Sequence, residues 1–592
     1  MYDRNQSPGQ RVGGIERVLR ALMALSLIAA IGAGLLVHSP ARAQSSALLS
    51  TSKVTPADVV FYAELSLDTS SAQLQKFDEL LTRLGSKESL VDAIKSTATS
   101  ANSDVDLTGA EVSVAILPSA LAEGASMSGD LVGAATGGQT TSELEKAASS
   151  AGNQGVVIVV HPTDIATLKA SMEKTAGTSA KTETYDGVEI TTYTDENGDE
   201  SAYAVSGDYL FVGQTVDDIK AFVDAGKTGG KTLADLEGFQ KTSDLLPAER
   251  VAFAFANGPA LFEAATAAAN NSAEVQSAQE MLPDFSGYTG LVVTADDPGI
   301  RFETVLVPEK GDGNAKAAGT AADLGMAERM PADTAVFASG YDLGKSAVMN
   351  GLGLFLAVAF MGVTSGTSSS PEASPTPASI DDMYEELSRT FGFNLKTGFL
   401  DQMTGPYGFG VWGLDSADPT QIDAALVTGV GDATVLGDTL GTVSLLVQAG
   451  GQGRVNVTSK TVTGGSVNHV EFDASGSNMA VEYGVVGNEF VLGLNGGAET
   501  VMNGPADSLA TSDLYSTTLG YLPKEYQAVY FADIAQLAAA GESTGSSALG
   551  GDSAIADFLG TPTAGGTVPQ SFAAVTHVTD GYTHTSGILV VP

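Results

Sequence analysis

Apolar residues fall into short runs punctuated by turn formers, and one arrangement occurs four times. A proline is followed two residues later by a carboxylate, then by an apolar strand, then by Asp or Asn where a helix opens. The copies start at Pro56, Pro247, Pro331 and Pro523, with Asp58, Glu249, Asp333 and Glu525 as the acids. Proline fixes φ near its turn value, and Val59 to Tyr62, Val251 to Phe255, Ala335 to Phe337 and Ala528 to Phe531 have strand character. The first two copies lie 191 residues apart and the last two 192, so they form two pairs and imply an internal duplication.

Within the first half, Leu74, Phe77, Leu80, Leu81 and Leu84 recur at helical spacing, and Val112, Val114 and Ile116 alternate as a strand. Val156 to Val160 reads as a buried strand, and Thr163-Asp164 caps a helix carrying Ile165, Leu168 and Met172. Three strands then follow without a helix between them: Val188 to Tyr193, Ala202 to Val205 and Tyr209 to Val212. Asn197-Gly198 and Gly207-Asp208 supply their turns. Such strands must be antiparallel, so the predicted class is α+β: two tandem homologous domains, each a mixed or mainly antiparallel sheet with packed helices. The second half repeats the script. GDYLFVG (207–213) returns as GNEFVLG (487–493), and Val305-Leu306-Val307-Pro308 matches Leu589-Val590-Val591-Pro592.

Leu-Pro-Ala-Asp/Glu before an apolar strand, Asn394-Leu395-Lys396 ahead of Gly405, and the Leu236 to Leu246 approach to Pro247 resemble the exported bacterial proteins grouped as domain of unknown function 3352. The resemblance spans nearly all of the mature chain. It implies no activity and supplies no catalytic residues.

The halves differ after Asp342. There an amphipathic helix is replaced by Ala347 to Val363, apolar apart from Asn350 and small residues, and then by a Ser/Pro linker (364–379) that cannot build a core. The domains are therefore placed at 53–310 and 328–592, with the linker inside the second. At the N-terminus, Arg4, Arg11, Arg17 and Arg20 precede an apolar run, Ala21 to Val37, and Ala41-Arg42-Ala43. This pattern predicts an export signal over 1–43, cleaved to leave Gln44, with an uncleaved anchor as the alternative. The expected location is extracytoplasmic, secreted or anchored to the cell membrane. Partners are expected to be a protein or envelope component, with membrane contact through 21–37 and 347–363.

The chain has no cysteine, which excludes a disulfide framework and a lipoprotein anchor. Removing the signal leaves 24 basic and 68 acidic residues, a net charge of −44 that repels nucleic acid and anionic headgroups.

Candidate chemistry is sparse. Ala225 to Thr232 (AGKTGGKT) fits a loose phosphate-loop pattern around Lys231, but it follows a helix where the motif requires a strand. Gly541 to Gly545 (GESTG) fits the nucleophile-elbow spacing around Ser543, but Leu537 to Ala540 before it reads as the end of a helix. Asp195, Asn197 and Asp199 begin like a calcium loop, and Glu200 then stands where that loop needs Gly. His161 and His469 lack an acidic or cysteine partner at ligand spacing, His38 lies in the signal, and His577 and His584 fall on strands where the first half has apolar residues. Asp217-Asp218 and Asp381-Asp382 read as helix starts. No residue is assigned as catalytic, cofactor-binding or metal-ligating. Two classes of function remain: a non-catalytic structural or binding scaffold, or a hydrolase-like enzyme with a dispersed site. A polar, ionisable cluster confined to one half would separate them.

Overall fold

A computed structural model describes residues 50–86, 89–92, 107–120, 155–177, 180–194, 200–268, 287–309, 325–343, 388–389, 394–414, 422–450, 455–474, 477–544, 567–579 and 581–592. The signal, the stretch 121–154, the Asn197-Gly198 turn, Asp381-Asp382, the apolar segment 347–363 and the linker 364–379 lie outside these residues.

The first half contributes β1 (Phe61–Ser66), β2 (Glu111–Ile116), β3 (Val156–His161), β4 (Lys181–Tyr185), β5 (Val188–Thr194), β6 (Glu200–Ser206), β7 (Tyr209–Gly213), β8 (Ala252–Asn257), β9 (Tyr288–Asp296) and β10 (Gly299–Val307). Its helices are α1 (Ala72–Arg83), α2 (Ile165–Ala176), α3 (Val216–Ala225), α4 (Glu237–Asp244) and α5 (Gly258–Ala268). The second half contributes β11 (Val336–Tyr341), β12 (Met403–Trp412), β13 (Asp423–Val430), β14 (Val455–Val462), β15 (Gly465–Ala474), β16 (Ser477–Val486), β17 (Glu489–Leu494), β18 (Ala528–Asp533), β19 (Ser571–Thr579) and β20 (Tyr582–Val590). With them come α6 (Leu395–Gly398), α7 (Ala433–Gly450), α8 (Gly497–Asn503), α9 (Asp513–Gly520) and α10 (Ile534–Thr544).

The class is α+β, and the twenty strands among the described residues belong to one antiparallel sheet. In the first half the order runs β4-β5-β6-β7-β3-β2-β1-β8-β9-β10. Adding ten to each strand number gives the order of the second half. The junction is β10 against β20, with Glu303 opposite Ser586. Hairpins β9–β10 and β19–β20 align at an offset of 283, so Glu303 faces its own equivalent and the junction has a local two-fold. This register corrects the closing-motif alignment by one residue, since Val307 matches Val590. It also corrects the reading of the late histidines: His577 and His584 stand over Thr294 and Arg301, which are polar.

Local chemistry explains the element ends. Asp164 caps α2 by accepting from the Ala166 and Thr167 N–H groups, Thr215 and Asp218 form a capping box on α3, and Asn257 and Asp533 accept from Ala260 and Gln536 where α5 and α10 open. Pro56 bridges Thr232 as Pro331 bridges Ser508. Strand β4 is absent from the sequence reading because it is an edge strand, KTETY, almost wholly exposed and without apolar alternation.

Helices cover both faces of the sheet. On one, α1 and α2 pack Leu74, Phe77, Leu80 and Leu168 on Ala63, Leu65, Val112 and Val160, and this cluster runs across the junction to Leu589 and Val591. On the other, α3 and α4 pack Ile219, Phe222 and Phe239 on Tyr62, Phe211, Phe253 and Phe255. The halves thus share core as well as backbone hydrogen bonds. Arg301 donates to the Tyr521 carbonyl at 2.8 Å, and the Val591 N–H to the Pro298 carbonyl at 3.0 Å.

Candidate functional site

Alternation along β1, β2 and β3 puts Tyr62 and Glu64, Glu111 and Ser113, and His161 on the face that carries α3 and α4. Register sets Glu64 opposite Ser113 and Glu111 opposite His161. Over them runs the 3-10 turn Ser50–Lys53, whose Thr51 and Ser52 are buried.

In the deeper part, the Glu64 carboxylate accepts from the Tyr62 hydroxyl at 2.7 Å and from Arg250 Nη2 at 2.6 Å. Glu64 is 1% exposed, and the guanidinium lies 4.4 Å from the Phe253 ring centre. Tyr62 Oη also meets Thr51 Oγ1 at 2.8 Å. Burial pushes the Glu64 carboxyl up against the opposing pull of Arg250 and Tyr62; burial, then the Glu64 charge, holds the Tyr62 phenol well above its usual range. Ser113 Oγ, beside Tyr62 yet outside hydrogen-bonding geometry, is the one buried side-chain polar atom without a partner among the described residues.

Nearer the surface, the Ser50 N–H donates to Glu111 Oε2 at 2.9 Å, and the Ser50 hydroxyl makes a very short bond to the same oxygen. Ser50 Oγ lies 2.9 Å from His161 Nδ1, which is 3.4 Å from Glu111 Oε2. His161 stacks on Tyr209 with centroids 4.9 Å apart, and Tyr209 donates to the Ser50 carbonyl at 3.3 Å. Serine, histidine and glutamate therefore meet, in the residue types of an acyl-transfer site. Their geometry is that of a cap. Serine and acid approach the same imidazole nitrogen, whereas a relay needs one on each, and the Ser50 N–H is held by the carboxylate rather than aimed at a reacting oxyanion.

The second half has its own cluster, elsewhere. His469 sits opposite Glu482 in the β15–β16 hairpin. Glu482, fully buried, accepts from Lys460 Nζ at 2.8 Å, lies 3.1 Å from His469 Nδ1, and accepts from the Glu499 N–H at 3.3 Å. Burial would raise this carboxyl, but Lys460, the N–H and His469 together outweigh it and hold it below the ordinary range. His469 Nε2 lies 3.3 Å from Glu471. At the junction His584 Nε2 meets Glu303 Oε2 at 3.0 Å.

These contacts correct the reading of His161 and His469 as histidines without acidic partners; both have a glutamate directly across the ladder. For His469 the signal was available, because a hairpin that pairs Ala474 with Ser477 counts outward to Glu482. For His161 it was not, since β2 and β3 are joined by a long connection. Of the motif residues, Lys231 lies beyond the end of α3, in a loop that pairs back to the Pro56 turn, and Ser543 lies in the last turn of α10 rather than at a strand-to-helix elbow. Asp217 and Asp218 open α3; Asp218 also accepts from the Gly155 N–H at 3.2 Å. Asp195, Asn197 and Asp199 lie outside the described residues. Among the described residues no three His, Asp or Glu side chains are grouped to hold a metal.

The profile of a family described as protein of unknown function (DUF3352) matches residues 18–546. The chain belongs to this family. As a DUF3352 protein it has no match among curated proteins. Solved structures with partial likeness include crystal form III of TP0453 (9% identity, 45% of this chain and 82% of that one, TM-score 0.21) and crystal form I of TP0453 (11% identity, 46% and 81%, TM-score 0.22). Likeness of that size carries no functional inference.

Proposed function

We propose that this DUF3352 chain is an exported, non-catalytic structural or binding scaffold, built from two tandem homologous domains over roughly 53–310 and 328–592 that are fused edge to edge through β10 and β20. The observation that carries the reading is that the converging polar groups, Ser113 Oγ apart, are satisfied by one another. Both Glu64 oxygens, the Ser50 hydroxyl and N–H, and the Glu482 carboxylate are engaged by neighbouring groups of the fold. Groups held this way brace the fold and present little to a substrate. On this reading the chain is secreted or held at the membrane by residues 21–37, and its acidic surface keeps it from nucleic acid.

A second reading, a hydrolase-like enzyme outside the cytoplasm, is favoured by the Ser50–His161–Glu111 contact. Pull-down from solubilised envelope with the mature protein separates them. A scaffold retains one envelope component at constant ratio, equally with wild type and Ser50→Ala. Ester or amide turnover that disappears in Ser50→Ala, with no retained component, overturns the scaffold.

A further inference from the structure

The sheet has two outer strands, β4 and β14, each hydrogen-bonded on one side only among the described residues. In the first half this edge is guarded. Strand β4 carries Lys181 and Glu183, the latter 3.0 Å from Lys220 of α3, and α2 carries Lys169, Glu173 and Lys174. Charge along an edge discourages a further strand from adding to it. In the second half the edge is bare. Strand β14 pairs with β15 from Val455 to Val462 without a bulge, and it contains no proline. Its one charged residue, Lys460, is engaged by Glu482 and Glu499 at 2.8 and 3.4 Å.

The helices that precede the two edges differ in the same sense. Val157 stands opposite Gly213 and Ala425 opposite Gly493, so Ile165 at the start of α2 matches Ala433 at the start of α7. Helix α2 has 12 residues and α7 has 18, and the extension begins at Leu445. Leu445 is 68% exposed and Leu446 42%, while Val447 beside them joins Val455 and Val457 of β14 in one apolar cluster. Arg454 is the one charged residue from 439 to 459. We infer that β14 pairs antiparallel with β14 of a second copy of this chain, about a two-fold axis that brings both α7 extensions to the same face, where Leu445 and Leu446 of each copy are covered.

Three observations favour a second copy as the occupant. An open strand edge asks for an extended partner, and antiparallel pairing of a strand with its own copy is self-complementary under a two-fold. This unit already joins its homologue in that way, at the β10–β20 junction with its local two-fold. The chain as a whole is strongly acidic and repels itself, and the 439–459 stretch is a place where two copies meet without opposing carboxylates. A bilayer is the weaker match, because a single arginine offers little hold on anionic headgroups. Added Cβ atoms at Gly437 and Gly441 would touch nothing, so the outer side of α7 is open to the partner helix. Pairing at this edge goes beyond the scaffold reading and does not depend on it.

The chain has no cysteine, so single cysteines report without background. The test places one at Asn456, Thr458 or Thr461 of the full-length chain, with Thr182→Cys on β4 as the control, and treats each with a short bismaleimide, with and without zwitterionic vesicles. Sedimentation velocity of the wild type and of Leu445→Lys with Leu446→Lys accompanies it. Emission of Trp412, the sole tryptophan and buried at 4% exposure, reports folding, and Leu445→Gln with Leu446→Gln replaces the lysine pair if that variant does not fold. The expected result is a dimer that cross-links through at least one β14 cysteine and not through Thr182→Cys, is unchanged by vesicles, and is lost in the folded leucine variant. A monomeric wild type, a dimer that persists in that variant, equal cross-linking through β4, or a monomer that floats with vesicles through Leu445 and Leu446 overturns the inference.

Discussion

The segment before the first proline of each half runs over the same strands, and the two halves fill that place with opposite chemistry. In the first half Thr51, Ser52 and Thr55 are buried, and Thr51 meets Tyr62 above Glu64, Ser113 and Arg250. The equivalents in the second half are Met326, Ala327 and Met330 over Phe337, Ser339, Gly408 and Tyr526. A Cβ at Gly408 would meet Met326 Cβ at 2.7 Å, and one at Gly410 would meet Met330 Sδ at 2.7 Å, so methionine packs where the strand gives up its side chains. One backbone thus accepts a hydrogen-bonded interior or a thioether interior, provided every residue in the patch changes together. A polar cluster confined to one half is here an alternative way to fill space.

The largest effect should come from breaking the buried ion pair. Glu64→Ala leaves Arg250 charged and unpaired and is expected to cost about 3–5 kcal/mol in urea unfolding. Adopting the second-half residues together, Glu64→Ser with Arg250→Tyr, should restore most of it. A double variant no more stable than the single one would show that the halves are not interchangeable.

Next is Met330→Ala, which empties a fully buried site and should cost about 2–5 kcal/mol. The matching change, Thr55→Ala, removes one hydrogen bond to the Thr51 carbonyl and should cost about 0.5–1.5 kcal/mol. Equal losses would mean that the methionines do not fill the glycine grooves.

Acid should act on the two buried glutamates in opposite directions. Glu482 is held low, so the stability it contributes is present above its ordinary pKa and lost as pH falls through its folded value. Glu64 is held high, so its ionisation burdens the fold above that raised value and the burden lifts as pH falls toward the ordinary range. Melting temperatures between about pH 2 and 6 should therefore fall less steeply in Glu482→Gln than in wild type. A steeper fall would contradict the assignment.

The smallest effect concerns the junction. Amides of β10 and β20 should exchange as slowly as those of β1 and β11, because they lie mid-sheet. Fast exchange confined to these two strands would mean that the halves open independently.

The class and the runs of antiparallel strands could be read because proline turns, alternating runs and two-residue hairpins are local signals, and their recurrence doubled the information. Edge strand β4 could not, since exposure removes the alternation that marks a strand. Nor could the partnership of Glu111 with His161, or of Glu64 with Arg250, because those pairs are 50 and 186 residues apart in sequence and meet through ladders that turn chemistry does not specify. The substitution of a threonine-and-tyrosine interior by a methionine-and-glycine one becomes visible once the register places Thr51 over Met326 and Ser113 over Gly408.

The central claim is that these clusters brace the fold and do not react. Treating the mature protein with a fluorophosphonate and mapping the product by mass tests it most directly. The account predicts no adduct at Ser50, and that Ser50→Ala loses about 1 kcal/mol of stability with its capping bond. An adduct on Ser50 that disappears in His161→Ala would contradict it.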